Sequence, residues 1–278
     1  MTQILCDSSP AAIVAAIEHN LVEHFSSFSR IPGARFCDSP EITWVMTGIP
    51  RPVLNGVWRT DFASVELDAK IENALGIFKV PQVPMRWVCG PSTRPKDLGQ
   101  RLERNGLVHV SDWTGMAVDL HTLPKVVPVA PEVAVEEAED MGGLEKWLRA
   151  YRASANVQEA VSRAFFGLFA DTGLGPGSPV RHWVGSLKSQ PLARTSLVLA
   201  AGVAGIHWVA TAPEARRRGI ASVLVLEALR AARLEGFRFG VLHSSAMAIG
   251  VYRQLGFKEY CTHNVFVWQK EDSVEQGA

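Results

Sequence analysis

The stretch VATAPEARRRGIASVLVLEAL, residues 209–229, sets the end of an alternating apolar run, a Pro-Glu turn, three arginines and a glycine directly before apolar residues at helical spacing. The first amides of a helix have no carbonyl four residues back and point at whatever lies in front of the helix. An anion satisfies them, and the helix dipole adds roughly 0.3–1 kcal/mol per charge, up to about 2 where the site is partly buried. A diphosphate suits such a terminus. Gly219 brings no Cβ between backbone and ligand, and Ala221 is the next smallest choice. Two other readings of Arg216, Arg217 and Arg218 stand beside this one, a solvated helix face and a patch for nucleic acid. The dinucleotide G-x-G-x-x-G and the mononucleotide G-K-[ST] patterns do not fit here.

A second cluster is LHSSAMAIGVYRQLGF, residues 242–257. Its Tyr252 is a phenol with an ordinary pKa near 10, so it stays protonated at neutral pH and can give a proton to a departing anion. The plainer reading is a tyrosine packed on a helix face. Two histidines sit on predicted strands. In GVAGIHWVAT, strict alternation puts His207 on one face with Val209 and Thr211 and turns Trp208 to the other. His207 is a candidate base and His243, at the end of the next strand, a weaker one; both also read as structural histidines.

The elements that must hold these residues follow from periodicity and breakers. In the first half, helices are expected over 10–28, 68–78 and 95–105, and strands over 41–47, 55–60 and 85–89. LPKVVPVAPEV, with Pro124, Pro128 and Pro131, suits an extended crossing and sets the expected domain boundary, giving units 1–124 and 125–278. In the second half, helices are expected over 136–150, 157–170, 214–234 and 246–255, and strands over 180–187, 195–200, 203–211, 237–243 and 264–269. The fold class is therefore mixed α/β (α+β). LGQRLERNGLVHV and GVYRQLGFKEYC both read as helix, glycine stop and strand, an echo that suggests a degenerate duplication.

A chain of 278 residues with 28 basic and 28 acidic side chains has no bulk charge calling for nucleic acid or a membrane surface. Cys6, Cys37, Cys89 and Cys261 are too dispersed for a metal site or a secreted disulfide framework, so reduced thiols in the cytoplasm and no metal are expected. No signal peptide or membrane span is expected either.

Arg216, Gly219 and Ala221 resemble the Arg/Gln-x-x-Gly-x-Gly/Ala signature of the GNAT superfamily of N-acetyltransferases, with Pro213 and Glu214 ahead of it. The resemblance covers residues 180–269 well and 136–170 more loosely. It implies a mostly antiparallel sheet flanked by helices, in two tandem units, with the first half a degenerate or accessory unit. It implies acetyl-CoA as the acyl donor: Val209, Ala210 and Thr211 would pair with the pantetheine arm, and the amides of Arg217, Arg218, Gly219, Ile220, Ala221 and Ser222 would hold the pyrophosphate. Ser245, Ala248 and Tyr252 match the family's closing block, where Ser245 would touch the coenzyme and Tyr252 would protonate the leaving thiolate. The acceptor would be a small-molecule amine, attacking directly, with the oxyanion on an amide near Val209. A protein or peptide amine, or a coenzyme-binding sensor without turnover, are the alternatives. Trp44, Asn55 and Trp58 are candidates to wall an acceptor cleft, though a tryptophan-bearing core is the plainer explanation.

Overall fold

The computed structural model describes residues 3–269 except 64, 156 and 158, and of 160 the backbone alone. In chain order the elements are α1 (Pro10–Ser26), β1 (Arg35–Asp38), β2 (Ile42–Met46), β3 (Asn55–Thr60), α2 (Leu67–Lys79), β4 (Met85–Cys89), α3 (Leu98–Arg104) and β5 (Val108–Asp119). They continue with β6 (Val133–Glu137), α4 (Met141–Ser154), α5 (Glu159–Thr172), β7 (Val180–Leu187), β8 (Gln190–Ala200), β9 (Val203–Thr211), α6 (Ile220–Leu234), β10 (Phe239–Ser244), α7 (Ile249–Gln254) and β11 (Lys258–Trp268). Two compact units share them. One holds Met1–Asn20 and Gly115–Tyr260, the other Leu21–Thr114 and Cys261–Ala278. Position 124, the sequence-based boundary, falls inside the first.

In the first unit the strand order is β5–β10–β9–β8–β7–β6. β6, β7, β8 and β9 pair antiparallel in succession, whereas β9 and β10 run parallel through Ala204↔Gly240, Gly205↔Val241 and Ile206↔Leu242. The crossover between them is α6, whose Ile220, Leu224, Leu229 and Ala232 are buried against Leu197, Ala204, Ile206 and Leu242. Apolar residues three and four apart make this stripe, and it is what the helical spacing of 220–234 anticipates. The opposite face carries α4, whose Trp147 donates its indole N–H to the Thr195 carbonyl at 3.1 Å. Asp140 caps α4 by accepting from the Gly143 amide at 2.7 Å.

The second unit orders its strands β1–β2–β3–β4–β11, antiparallel except for the β3–β4 pair, which runs parallel through Gly56↔Arg86 and Val57↔Trp87. Its crossover helix α2 buries Leu67, Ile71, Leu75 and Phe78 among Val57, Met85 and Trp87.

Some expectations shift. The helix expected from 136 starts at Met141, because Val133–Glu137 forms an edge strand on β7 first. The one expected from 214 starts at Ile220: a single turn covers Pro213–Ala215, and Arg217 and Gly219 take left-handed φ of 62° and 78°. The strand Arg35–Asp38 went unanticipated. The helix expected from 157 is described from Glu159, position 158 lying outside the described residues.

Candidate functional site

The central geometric event is an extra residue in β9. Ser196 opposes His207 but Arg194 opposes Ala210, so three steps of β9 face two of β8. Such a bulge kinks the strand and re-aims side chains beyond it. Trp208 sits in it with φ 58°. The parallel pairing of β9 with β10 ends at Ile206↔Leu242, although β9 runs on to Thr211. Beyond the bulge, Ala210 and Thr211 pair with β8, and among the described residues no strand pairs with 209–211 on the β10 side. Their main chain can accept an extended, amide-bearing ligand there.

The bulge corrects the alternation expected for this strand. His207 shares its face with Ala210 and with Ser196 and Arg194 opposite, while Val209 packs toward α6. A period of two cannot reveal an inserted residue, because the chemistry of each side chain is unchanged. His207 lies against α1, where its Nε2 is 2.9 Å from Asn20 Oδ1. The Asn20 amide nitrogen donates to the carbonyls of Val198 and Ala200, both at 3.1 Å, so the oxygen faces the ring and His207 carries its proton on Nε2. A Cβ on Gly205 would lie 1.9 Å from Asn20 Oδ1, which explains the glycine beneath it. His243 is half-buried near the end of β10, on the face away from Leu242.

At the far end of β9 the chain turns through 213–219 into α6. Arg216, Arg217 and Arg218 are exposed, and among the described residues no carboxylate pairs with them. Arg216 Nε reaches back to the Thr211 carbonyl at 3.2 Å. The first helical bond is from the Val223 amide to the Gly219 carbonyl at 3.1 Å. This leaves the amides of Ile220, Ala221 and Ser222 without a helical acceptor. A helix start with three cations and a strand edge leading to it is a fit for a pyrophosphate joined to an extended arm.

Gly219 needs a different account from the one its sequence suggests. A Cβ there would come within 2.1 Å of the Pro128 carbonyl oxygen and 2.9 Å of Val129 Cα. The Ala130 amide also donates to the Arg218 carbonyl at 3.0 Å. The proline-rich crossing thus straps the loop, and glycine is required by the strap and by its positive φ rather than by a ligand.

Tyr252, on α7, is only 6% exposed beside Phe257 and within the same apolar cluster as α6. Burial pushes its phenol up to about 12. The phenol is therefore neutral at and well above neutral pH. Ser245 is exposed in the turn before α7, where its carbonyl accepts from the Ala248 amide and the Ser244 hydroxyl.

Sequence reasoning missed Arg194. It is 4% exposed, its Nη1 donates to the Trp208 carbonyl at 2.6 Å, and its guanidinium lies 4.2 Å from the Tyr151 ring centre, 5.0 Å from Trp147 and 5.9 Å from Trp208. Burial lowers its pKa to about 10. His182 beside it is buried, bonded through Nδ1 to Ser196 Oγ at 2.8 Å, and pushed down to about 3 by burial and then by the Arg194 charge. One arginine in PLARTSLVLA reads as a surface strand residue; the only signal was its neighbourhood of aromatic residues, which is distant in sequence.

In the second unit, Trp58 is buried and stacked on Phe25 at 3.7 Å, Trp44 belongs to the core, and the Asn55 side chain ties the 47–51 loop. Among the described residues no disulfide joins the cysteines, and burial raises the Cys89 thiol to about 12. Among the described residues no three His, Cys, Asp or Glu side chains gather as a metal-ligand group, and no helix is long and apolar enough to cross a membrane.

Residues 134–257 match the acetyltransferase (GNAT) family. The fold is similar to that of a GCN5-related N-acetyltransferase from Kribbella flavida, at 16% identity and a TM-score of 0.67, covering 92% of this chain and 98% of that one. It is also similar to a GCN5-related N-acetyltransferase from Sphaerobacter thermophilus, at 14% identity and 0.61, with 96% and 95% covered. A third is a tandem GNAT protein from the clavulanic acid biosynthesis pathway, at 13% identity and 0.58, with 96% and 98% covered. No curated protein sequence matches the chain. The mixed, mostly antiparallel sheet with flanking helices has the GNAT fold, and the match to the acetyltransferase family lies over residues 134–257.

Proposed function

We propose that the first unit transfers an acetyl group from acetyl-CoA to the amine of a small molecule by direct attack. The observation that carries this reading is the parting of β9 from β10 at the Trp208 bulge, with exposed, unpaired cations at the helix start beyond it. Acetyl-CoA supplies an activated acyl group as a thioester. Val209, Ala210 and Thr211 offer main-chain groups to the pantetheine arm, and the amides of Arg217, Arg218, Gly219, Ile220, Ala221 and Ser222 grip the pyrophosphate, with Ser245 at the opposite lip.

Each proton has an assigned carrier. An alkyl ammonium of pKa near 10.4 costs about 4–5 kcal/mol to deprotonate at neutral pH. His207, held by Asn20 through its Nε2 on the strand that leads to the bulge, is the candidate base for that task. The Val209 amide donates to the oxyanion of the addition step. Tyr252 gives its proton to the sulfur as the carbon–sulfur bond breaks.

The second unit reads as a degenerate copy. It repeats the antiparallel pair, the one-residue insertion (Thr43↔Arg59, then Trp44↔Val57), the parallel pair and the crossover helix. Its own cleft is filled, since the Arg94 amide donates to the Thr60 carbonyl and the Phe62 amide to the Arg94 carbonyl, both at 3.1 Å. Its helix opens on Glu66 and Asp68, which repel phosphate. These features support a tandem arrangement with one working site.

Calorimetry with coenzyme A and a thiol-release assay over a panel of small amines test the reading. Coenzyme binding at one site per chain with amine-dependent thiol release is expected. Tight binding without release for any amine would make the chain a sensor, and release only with peptides would move the acceptor to a protein amine.

A further inference from the structure

Arg194 is a buried cation whose charge no carboxylate answers among the described residues, and its Nε has no hydrogen-bond partner. A buried charge is costly unless it is paired and hydrogen-bonded, so its few partners matter. It lies among three rings and directs Nη1 at one carbonyl, that of Trp208. That oxygen belongs to the same planar amide as the Val209 N–H. In a trans amide the two point in opposite directions, so a cation on the oxygen draws electron density away from the nitrogen and makes its proton a stronger donor on the far side. The copy in the second unit makes a useful contrast. Its bulge residue Trp58 is held by the stacked Phe25 where Trp208 has a guanidinium, and that cleft is filled.

We infer that Arg194 is a positioning residue which polarises the Trp208–Val209 amide, sharpening the Val209 N–H as the donor to the thioester oxygen. The inference rests on the proposed binding of acetyl-CoA along β9. A residue that merely braced the bulge would alter stability and coenzyme affinity; one that polarises the amide alters the carbonyl of the bound thioester.

The test is the infrared carbonyl stretch of carbon-13-labelled acetyl-CoA bound to the full chain, read with kcat and KM for wild type, Arg194→Met, Arg194→Gln and Arg194→Lys. The wild-type stretch should lie below that of the free thioester. Arg194→Met and Arg194→Gln should move it back toward the free value and lower kcat about tenfold, less than the roughly 100-fold typical of losing an oxyanion donor outright. KM for acetyl-CoA should change much less, and Arg194→Lys should retain part of the shift. An unshifted wild-type stretch overturns the inference even if every variant misfolds, and so does an unchanged stretch and kcat in a folded Met or Gln variant. Failure of wild type to bind acetyl-CoA is a separate result that removes the proposed function and this inference with it.

Discussion

Replacing Gly219 by alanine separates what the loop needs from what a ligand needs. The added methyl meets the Pro128 carbonyl oxygen at 2.1 Å and Val129 Cα at 2.9 Å, both backbone atoms that cannot rotate away. The residue also holds φ at 78°, where a side chain costs roughly 1–2 kcal/mol. Overpacking against fixed backbone adds about 1–3 kcal/mol. Together the substitution should destabilise the unit by about 2–5 kcal/mol, a large share of the roughly 5–15 kcal/mol available to a typical domain. The strap must lift, breaking the Ala130 to Arg218 bond as it does. Denaturant unfolding of Gly219→Ala against wild type, followed by fluorescence, measures this. Arg216→Ala is the control, since Arg216 is exposed and should weaken coenzyme binding with little change in midpoint. An unchanged unfolding midpoint for Gly219→Ala, with coenzyme affinity lost, would show that the glycine serves the ligand and that the strap argument is wrong.

Three further outcomes are expected. Tyr252→Phe should lower kcat for acetyl transfer by about 10²-fold while leaving coenzyme affinity nearly unchanged, which steady-state kinetics and calorimetry check. Arg181→Met should cost about 3 kcal/mol, because Arg181 is buried and forks onto Glu137 with Nε and Nη2 each at 2.6 Å while Nη1 holds Glu235; a denaturation midpoint equal to wild type would contradict it. His182 stays neutral in the folded protein down to about 3 but protonates near its ordinary value of about 6.5 when unfolded, so the unfolded state binds the extra proton between those pH values. Stability is therefore full above about pH 6.5 and falls as pH drops, by about 1.4 kcal/mol per unit from this group. His182→Gln should flatten that slope in a pH series of unfolding curves.

How far the sequence carries depends on which interactions set each feature. β7 and β9 lie over the residues expected because an apolar run bounded by glycine or lysine-serine turns needs no distant partner to be recognised. The order strand, turn and helix through 203–234 was legible for the same reason, as the three follow one another directly. The start of α6 was misplaced because nothing local announces that Arg217 adopts a left-handed backbone; the strap from 128–130 holds the turn. The face on which His207 points was lost at the Trp208 bulge, which is a property of two strands and invisible in one. Arg194 escaped because its partners Tyr151, Trp147 and Trp208 come from three separate elements. The same limit hid β1, a four-residue strand recognisable only through its pairing with β2.

The allotment of segments to the two units bears on any attempt to dissect the chain. A scissor cut at 124 would look clean on paper, yet it strips the downstream fragment of 10–20, including the Asn20 that orients His207, and of 115–119, the strand beside β10. The orphaned fragment would expose one long edge of its sheet and lose the clamp over Gly205. Expressed alone it should aggregate, and adding the upstream fragment in trans should rescue it.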